Sequence, residues 1–145
     1  MNTEQTKLPT HYRVKDALDE SGVHIILQKW NPIGETPEGY WVLREGGPNW
    51  PGIDKKYQRK LGILKWVSKT SNRRYCYPTM QEAMDSFKRR KEVQVSKLAI
   101  QLEQAQLALE KFDDYKDETP NSFPSRYEGI RLGEIEAASN LIWDY

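Results

Sequence analysis

Side chains that could hold a phosphate group are concentrated in one part of this 145-residue chain. Arg73, Arg74 and Tyr75 are consecutive, and Lys65 lies in the apolar segment before them. A guanidinium grips phosphate through two parallel hydrogen bonds, and a tyrosine ring offers a flat surface on which a base stacks. The spacing predicts binding of an anionic nucleotide. The alternative is a solvated sheet face whose tyrosines cover the edge of the core.

Two further residues are candidates for the same surface. Trp50 lies between two prolines in a Gly- and Pro-rich loop, where it would cover a pocket, insert into a partner or pack on its own sheet. Arg126 is predicted to begin the last helix, where free amides and the helix dipole favour an anion. Ser125 and Glu128 are alternative partners for those amides. The predicted ligand-binding set is Arg73, Tyr75, Arg74, Lys65, Arg126 and Trp50.

Charge is unevenly distributed along the chain. Residues 1–53 carry five basic and seven acidic side chains, residues 54–91 carry twelve and three, and residues 92–145 carry five and eleven. The formal net charge of +1 therefore conceals a strongly basic middle. This asymmetry predicts an anionic ligand or an acidic partner surface. It is also compatible with an acidic tail that pairs with the basic middle of its own chain or of a second copy.

Residues typical of catalysis are scarce. Cys76 with His11 or His24 would make a nucleophile pair, but a cysteine between two tyrosines on a strand is more typical of packing. The sequence has no nucleophile elbow, phosphate loop, dinucleotide fingerprint or zinc-protease motif. The acidic run at residues 113–118 lacks the spacing of a calcium loop. We therefore predict a protein that is not an enzyme and needs neither metal nor cofactor.

Composition predicts a single domain, 1–145, in a reducing compartment. The chain has 11% aromatic residues, enough large rings for a core, and one cysteine, which excludes an internal disulfide. We expect neither a signal peptide nor a membrane span, because the N-terminus lacks the first pattern and no apolar run reaches the length of the second. The expected location is the cytoplasm.

An α+β fold follows from the hydrophobic pattern: an antiparallel sheet of four to five strands, a long helix and a shorter C-terminal helix. Short connections make the strands antiparallel, and NPIGETPEG and EGGPNWPGIDKKY are predicted loops. On the fourth strand Lys65 and Val67 should share one face, with Leu64 and Trp66 on the other. The predicted strands are Tyr12–Leu18, Val23–Trp30, Tyr40–Arg44, Leu61–Lys69 and Arg73–Tyr77.

The helical half begins at a capping box, in which the Thr79 hydroxyl accepts from the Glu82 amide and the Glu82 carboxylate returns to the Thr79 amide. The long helix is predicted over residues 79–112, and the last helix over residues 125–143. A seam with 3,4 spacing needs a helix or sheet to receive it, so we predict a homo-oligomer. The seam residues are Val95, Leu98, Leu102, Ala105, Leu109 and Phe112.

The 34-residue run CYPTMQEAMDSFKRRKEVQVSKLAIQLEQAQLAL, from Cys76, resembles a pattern found in small accessory proteins of tailed bacteriophages. A sheet followed by two helices is similar to the phage anti-Thoeris family, which sequesters cyclic ADP-ribose signals between subunits. That resemblance implies a nucleotide ligand, and no site residue follows from it. The residues that match the helical pattern are Ala83, Ser86, Phe87, Arg90, Lys91, Gln94, Leu98, Gln101, Leu102, Ala105, Ala108 and Leu109.

The function expected from the sequence is therefore that of a phage accessory protein that inhibits a host defence system by binding. Its partner would be an anionic nucleotide signal or a host defence protein complex. The alternative is a nucleic-acid-binding protein of phage replication or transcription control. Steep weakening by salt would distinguish the alternative, because contacts to several phosphates release counterions.

Overall fold

The computed structural model describes residues 7–46, 54–115 and 131–136. The chain divides into two compact units, Met1–Lys88 and Arg89–Tyr145. The predicted positions of Trp50 and Arg126 lie outside the described residues, as does most of the predicted last helix.

An antiparallel sheet of four strands dominates the first unit, which confirms the predicted α+β class. The strands follow one another in space as they do in sequence. The first turn uses Gly22, whose φ of 123° is a conformation that side chains disfavour. The strands are β1 (His11–Asp19), β2 (Gly22–Glu35), β3 (Gly39–Arg44) and β4 (Leu64–Ser68).

Two segments predicted as loops are partly regular. Strand β2 continues through the first of them and pairs Asn31 with Leu43, with a register shift between Pro32 and Gly34 that accommodates the proline. In the second, residues Lys55–Lys60 form helix α1, because Asp54 accepts a hydrogen bond from the Lys56 amide at 3.3 Å. Helix α1 contacts β4.

The segment Arg73–Tyr77, predicted as a fifth strand, is not one. Only Tyr77 pairs with the sheet, through two hydrogen bonds of 2.7 and 2.9 Å with Tyr12 on β1. Side chains satisfy the intervening backbone instead: the Ser71 hydroxyl accepts from the Arg73 amide, and the Tyr77 hydroxyl accepts from the Arg74 amide. Local side-chain bonds of this kind replace a strand ladder.

The core of the sheet unit lies where this segment meets the strands. One buried cluster joins β2, β3 and β4 to Cys76, with Tyr40 and Tyr75 packed against it. A second joins Val14 and Tyr77 to the first turn of the long helix. Register places Lys65 opposite Val42 and Val67 opposite Tyr40, so Lys65 and Val67 share a face as predicted. The first cluster comprises Trp30, Val42, Val67 and Cys76, and the second Val14, Tyr77 and Ala83.

The long helix, α2, spans Met80–Tyr115. The predicted cap is present: the Glu82 amide donates to the Thr79 hydroxyl at 3.3 Å. The Glu82 carboxylate accepts from the Thr79 hydroxyl at 2.8 Å rather than from its amide as predicted. In the second unit the side chain of Leu107 lies against Gly133, so the described segment 131–136 runs beside this part of α2.

Candidate anion-binding site

Two cations converge on the ring of Tyr75. The Arg13 guanidinium, from β1, lies 4.1 Å from the ring centroid, and the Lys65 ammonium, from β4, lies 4.2 Å from the same centroid. Arg13 also donates a hydrogen bond of 2.6 Å to the Tyr75 carbonyl. The electron-rich face of a phenol ring attracts cations. Tyr75 therefore holds together two charges that come from the first and the last strand of the sheet.

These two cations have no anionic counterpart within the described parts of the chain. Both side chains are half-buried, and neither Arg13 nor Lys65 has a carboxylate within 4.0 Å among residues 7–46, 54–115 and 131–136. Because both groups lie within 4.2 Å of one ring centroid, the guanidinium and the ammonium are at most twice that distance apart. Partial removal of two like charges from water is unfavourable, and an anion bound between them would offset that cost.

A third donor lies against the same ring. Trp30 is 1% exposed, and its indole meets Tyr75 edge-on, with centroids 5.1 Å apart and planes at 83°. Its Nε1–H is buried and has no acceptor among the residues that the structure describes. Leaving a buried donor unsatisfied costs roughly 1–3 kcal/mol. The surroundings of Tyr75 are thus rich in donors and poor in acceptors.

Cys76, next in sequence, does not supply the missing anion. Burial raises the pKa of its thiol to about 12, although the nearby charges of Arg13 and Lys65 act in the opposite direction. The thiol is fully buried and neutral at physiological pH. A thiol in this state is a poor nucleophile, since the thiolate is the reactive form.

Of the predicted site residues that lie in the described ranges, the structure brings Lys65 and Tyr75 together. Arg73 is exposed on the turn after β4. Arg74 donates to the Ser71 carbonyl at 2.7 Å and lies 3.9 Å from the Glu82 carboxylate. It therefore links the segment that follows β4 to the start of α2. Arg13 was not predicted. The alternation of side chains along β1 could have indicated Arg13, because it shares a face with His11, whose cross-strand partner is the buried Trp30.

The histidines lie in two different environments. His11 is 1% exposed and contacts the Pro9 carbonyl through Nδ1 at 2.8 Å, and its burial lowers the pKa of the imidazole. His24 lies in the first turn with Ser21 and Asp19. The same nitrogen, Nε2, contacts both partners of His24, and the Ser21 hydroxyl donates directly to Asp19. A catalytic triad needs the two imidazole nitrogens to contact different partners, so this is a turn network.

The opposite face of the sheet carries an aromatic pair that was not predicted as a site. Trp41 and Trp66 are cross-strand neighbours on β3 and β4. Trp66 is 40% exposed, and it passes over Gly39, where a Cβ would lie 2.6 Å from the ring. The Arg59 guanidinium of α1 lies 5.0 Å from the Trp41 ring centroid. Three further basic residues of α1 are exposed: Lys55, Lys56 and Lys60.

Comparisons of this chain with known protein families, with curated proteins and with solved structures find no match. In the described ranges, no group of three or more histidine, cysteine, aspartate or glutamate side chains is arranged to hold a metal ion. None of the helices in those ranges combines the length and the apolar character that crossing a bilayer requires.

Proposed function

We propose that this protein acts by binding, and that its ligand is an anionic nucleotide held between Arg13 and Lys65. The observation that carries the proposal is a pair of half-buried cations on one tyrosine ring, neither of which has a carboxylate within 4.0 Å among the described residues. A phosphate has several acceptor oxygens, so one group can accept from a guanidinium and an ammonium together. Tyr75 keeps the two donors in place, which lowers the entropic cost of binding.

The biological setting that we propose is inhibition of a host defence system by a phage accessory protein. Its support is the resemblance of the run that begins at Cys76 to phage accessory helices, together with a site suited to phosphate. Sequestration of a nucleotide signal needs a tight site and no catalytic group. Blocking of a host protein complex is the other route to the same outcome, and it would use a surface rather than this site.

Calorimetric titration with a panel of mononucleotides, cyclic nucleotides and dinucleotides tests the site. Lys65→Gln should weaken binding of the tightest nucleotide about tenfold or more, because one charge-assisted hydrogen bond contributes about 1.5–3 kcal/mol. Lys69→Gln is the matched control: Lys69 also lies over a tyrosine ring, at 5.0 Å from Tyr40, but the Glu35 carboxylate neutralises it at 2.5 Å. The control should bind as wild type does.

Two results would refute the proposal. One is the absence of binding by any nucleotide of the panel while inorganic pyrophosphate also fails to bind. The other is equal weakening by Lys65→Gln and Lys69→Gln, which would indicate a diffuse effect of positive charge. Both variants should first be shown to melt as wild type does, so that a change in affinity is not a change in folding.

A second candidate function, nucleic-acid binding, is favoured by the surface formed by Trp41, Trp66 and Arg59. An exposed indole, that of Trp66, and a half-buried one, that of Trp41, lie beside a basic helix and resemble the stacking platforms that bind single strands with little sequence preference. Trp66→Ala should then reduce affinity for a single-stranded oligonucleotide roughly tenfold, since stacking of one base contributes about 1–3 kcal/mol. Steep weakening by salt for the oligonucleotide, with Lys65→Gln unchanged, would favour this function over the first.

A further inference from the structure

An exposed apolar seam runs along α2 within the second unit. Its residues follow the 3,4 spacing of a coiled coil, and each large one is more than half exposed. An apolar stripe of this length is unusual on a monomer and marks an interaction surface. The exposed fractions are 65% for Val95, 52% for Leu98, 59% for Leu102, 76% for Leu109 and 63% for Phe112, and the small Ala105 between them is also exposed.

The positions that flank the seam are mostly uncharged. Glutamine and alanine occupy the flanks through the middle of the seam, so a second helix could approach without bringing like charges together there. The segment 131–136 does not occupy the seam, because it contacts Leu107, which lies on a different side of the helix. The uncharged flanking residues are Gln94, Ala99, Gln101, Gln106 and Ala108.

Within the second unit, the N-terminal part of α2 is basic and its C-terminal part is acidic. Residues 89–97 contain four basic side chains and one acidic one, net +3, and residues 98–115 contain one basic and four acidic ones, net −3. Two such helices repel one another when parallel, because like ends meet. When they are antiparallel, the basic end of each helix lies beside the acidic end of the other.

We propose that the seam is covered by the α2 seam of a second copy of this chain, in an antiparallel homodimer. The register follows from the spacing of the six seam residues, which is unchanged on reversal. Val95 packs opposite the partner's Phe112, Leu98 opposite the partner's Leu109, and Leu102 opposite the partner's Ala105, which gives six layers related by a two-fold axis.

Sedimentation at high micromolar chain concentration tests the dimer. Wild type should sediment at twice the chain mass of 17.0 kDa. Replacing one full layer, with Leu98→Gln and Leu109→Gln in one chain, should return it to the single-chain mass. Leu18→Gln is the matched control, since Leu18 is 79% exposed on β1, close to the 76% of Leu109. It should leave the mass doubled.

A wild-type chain that stays at 17.0 kDa would overturn the proposal. A control that dissociates as readily as the double variant would also overturn it.

The orientation of the helices is tested by oxidative cross-linking through introduced cysteines. Val95→Cys alone should not cross-link to itself, because in the antiparallel dimer the two positions lie at opposite ends. A mixture of Val95→Cys and Phe112→Cys chains should form the mixed disulfide, and the buried Cys76 should take no part. Efficient self-linking of Val95→Cys would refute the antiparallel arrangement.

Discussion

The same residue type has opposite surroundings in the two units of this chain. Val42, on β3, is 0% exposed and packs with Trp30, Val67 and Cys76, whereas Val95, on α2, is 65% exposed. The sheet unit closes its core with its own chain, because the segment that follows β4 returns to pair with β1 at Tyr12. In the second unit, the large apolar residues of the α2 seam lie at the surface. Stability is therefore expected to reside in the first unit and association in the second.

If the stability of the chain resides in the sheet unit, the largest loss of stability is expected from Gly39→Ala. A Cβ at Gly39 would overlap the Val67 carbonyl and lie 2.6 Å from the Trp66 ring. Backbone cannot yield as a flexible side chain does, so strands β3 and β4 would have to separate. We expect the free energy of unfolding to fall by about 3 kcal/mol or more, measured by urea denaturation with tryptophan fluorescence.

The control for that experiment is Gly34→Ala. A Cβ there would meet Trp41 at 3.8 Å, an ordinary contact distance, and Gly34 is not in the left-handed region. It should unfold within about 0.5–1 kcal/mol of wild type. Equal destabilisation by both variants would mean that a side chain is tolerated at neither glycine. The close approach of the Trp66 ring to Gly39 would then not explain the effect of Gly39→Ala.

A matched pair of valine substitutions measures the contrast directly. Val42→Ala should cost about 2 kcal/mol, because it removes two buried methyl groups and leaves a cavity. Val95→Ala should leave the urea midpoint of the sheet unit unchanged and weaken only self-association. If the two variants lost the same stability in dilute solution, the seam would be buried by the monomer itself.

The sequence predicts the parts of this fold that depend on local pattern. Alternation of apolar residues placed β1, β3 and the core of β4, and the capping box at Thr79 located the start of α2 to within one residue. The errors have a common physical origin, which is competition for backbone hydrogen bonds. Arg73–Tyr77 has the composition of a strand, but the Ser71 and Tyr77 side chains satisfy its amides. Similarly, the Asp54 side chain accepts from the Lys56 amide, and helix α1 forms where a loop was predicted.

The candidate site shows a different limit. Tyr75 and Lys65 were predicted because they lie close in sequence, within a basic segment. Arg13 is 62 residues from Tyr75, and its hydrogen bond to the Tyr75 carbonyl depends on where the chain crosses the sheet. Periodicity gives the face on which a side chain lies, but not which distant segment covers that face. Arg74, which was also predicted for binding, lies 3.9 Å from the Glu82 carboxylate, a contact that links its segment to the start of α2.

A smaller effect is expected at the junction between the sheet and α2. Thr79→Ala removes the hydroxyl that accepts from the Glu82 amide and donates to its carboxylate. The free energy of unfolding should fall by about 1 kcal/mol. Ser96→Ala, in the same helix, is the control: its hydroxyl bonds to the Glu92 carbonyl within the helix, and its loss should be nearly neutral. Equal losses at both positions would argue against a capping role for Thr79.

The smallest effect is a pH dependence confined to the sheet unit. Burial lowers the pKa of His11 below its ordinary value of 6.5, with the charge of Arg74 acting in the same direction, while the Pro9 carbonyl and Glu82 act against them. As the pH falls below about 6.5, the imidazole is protonated in the unfolded chain but still neutral in the folded one. The free energy of unfolding therefore decreases as the pH falls, until the pKa of the folded state is reached. His11→Asn keeps a donor for the Pro9 carbonyl and cannot titrate. Urea midpoints at pH 7.5 and 5.5 should differ for wild type and coincide more closely for His11→Asn. An equal pH dependence in both proteins would exclude His11 as its source.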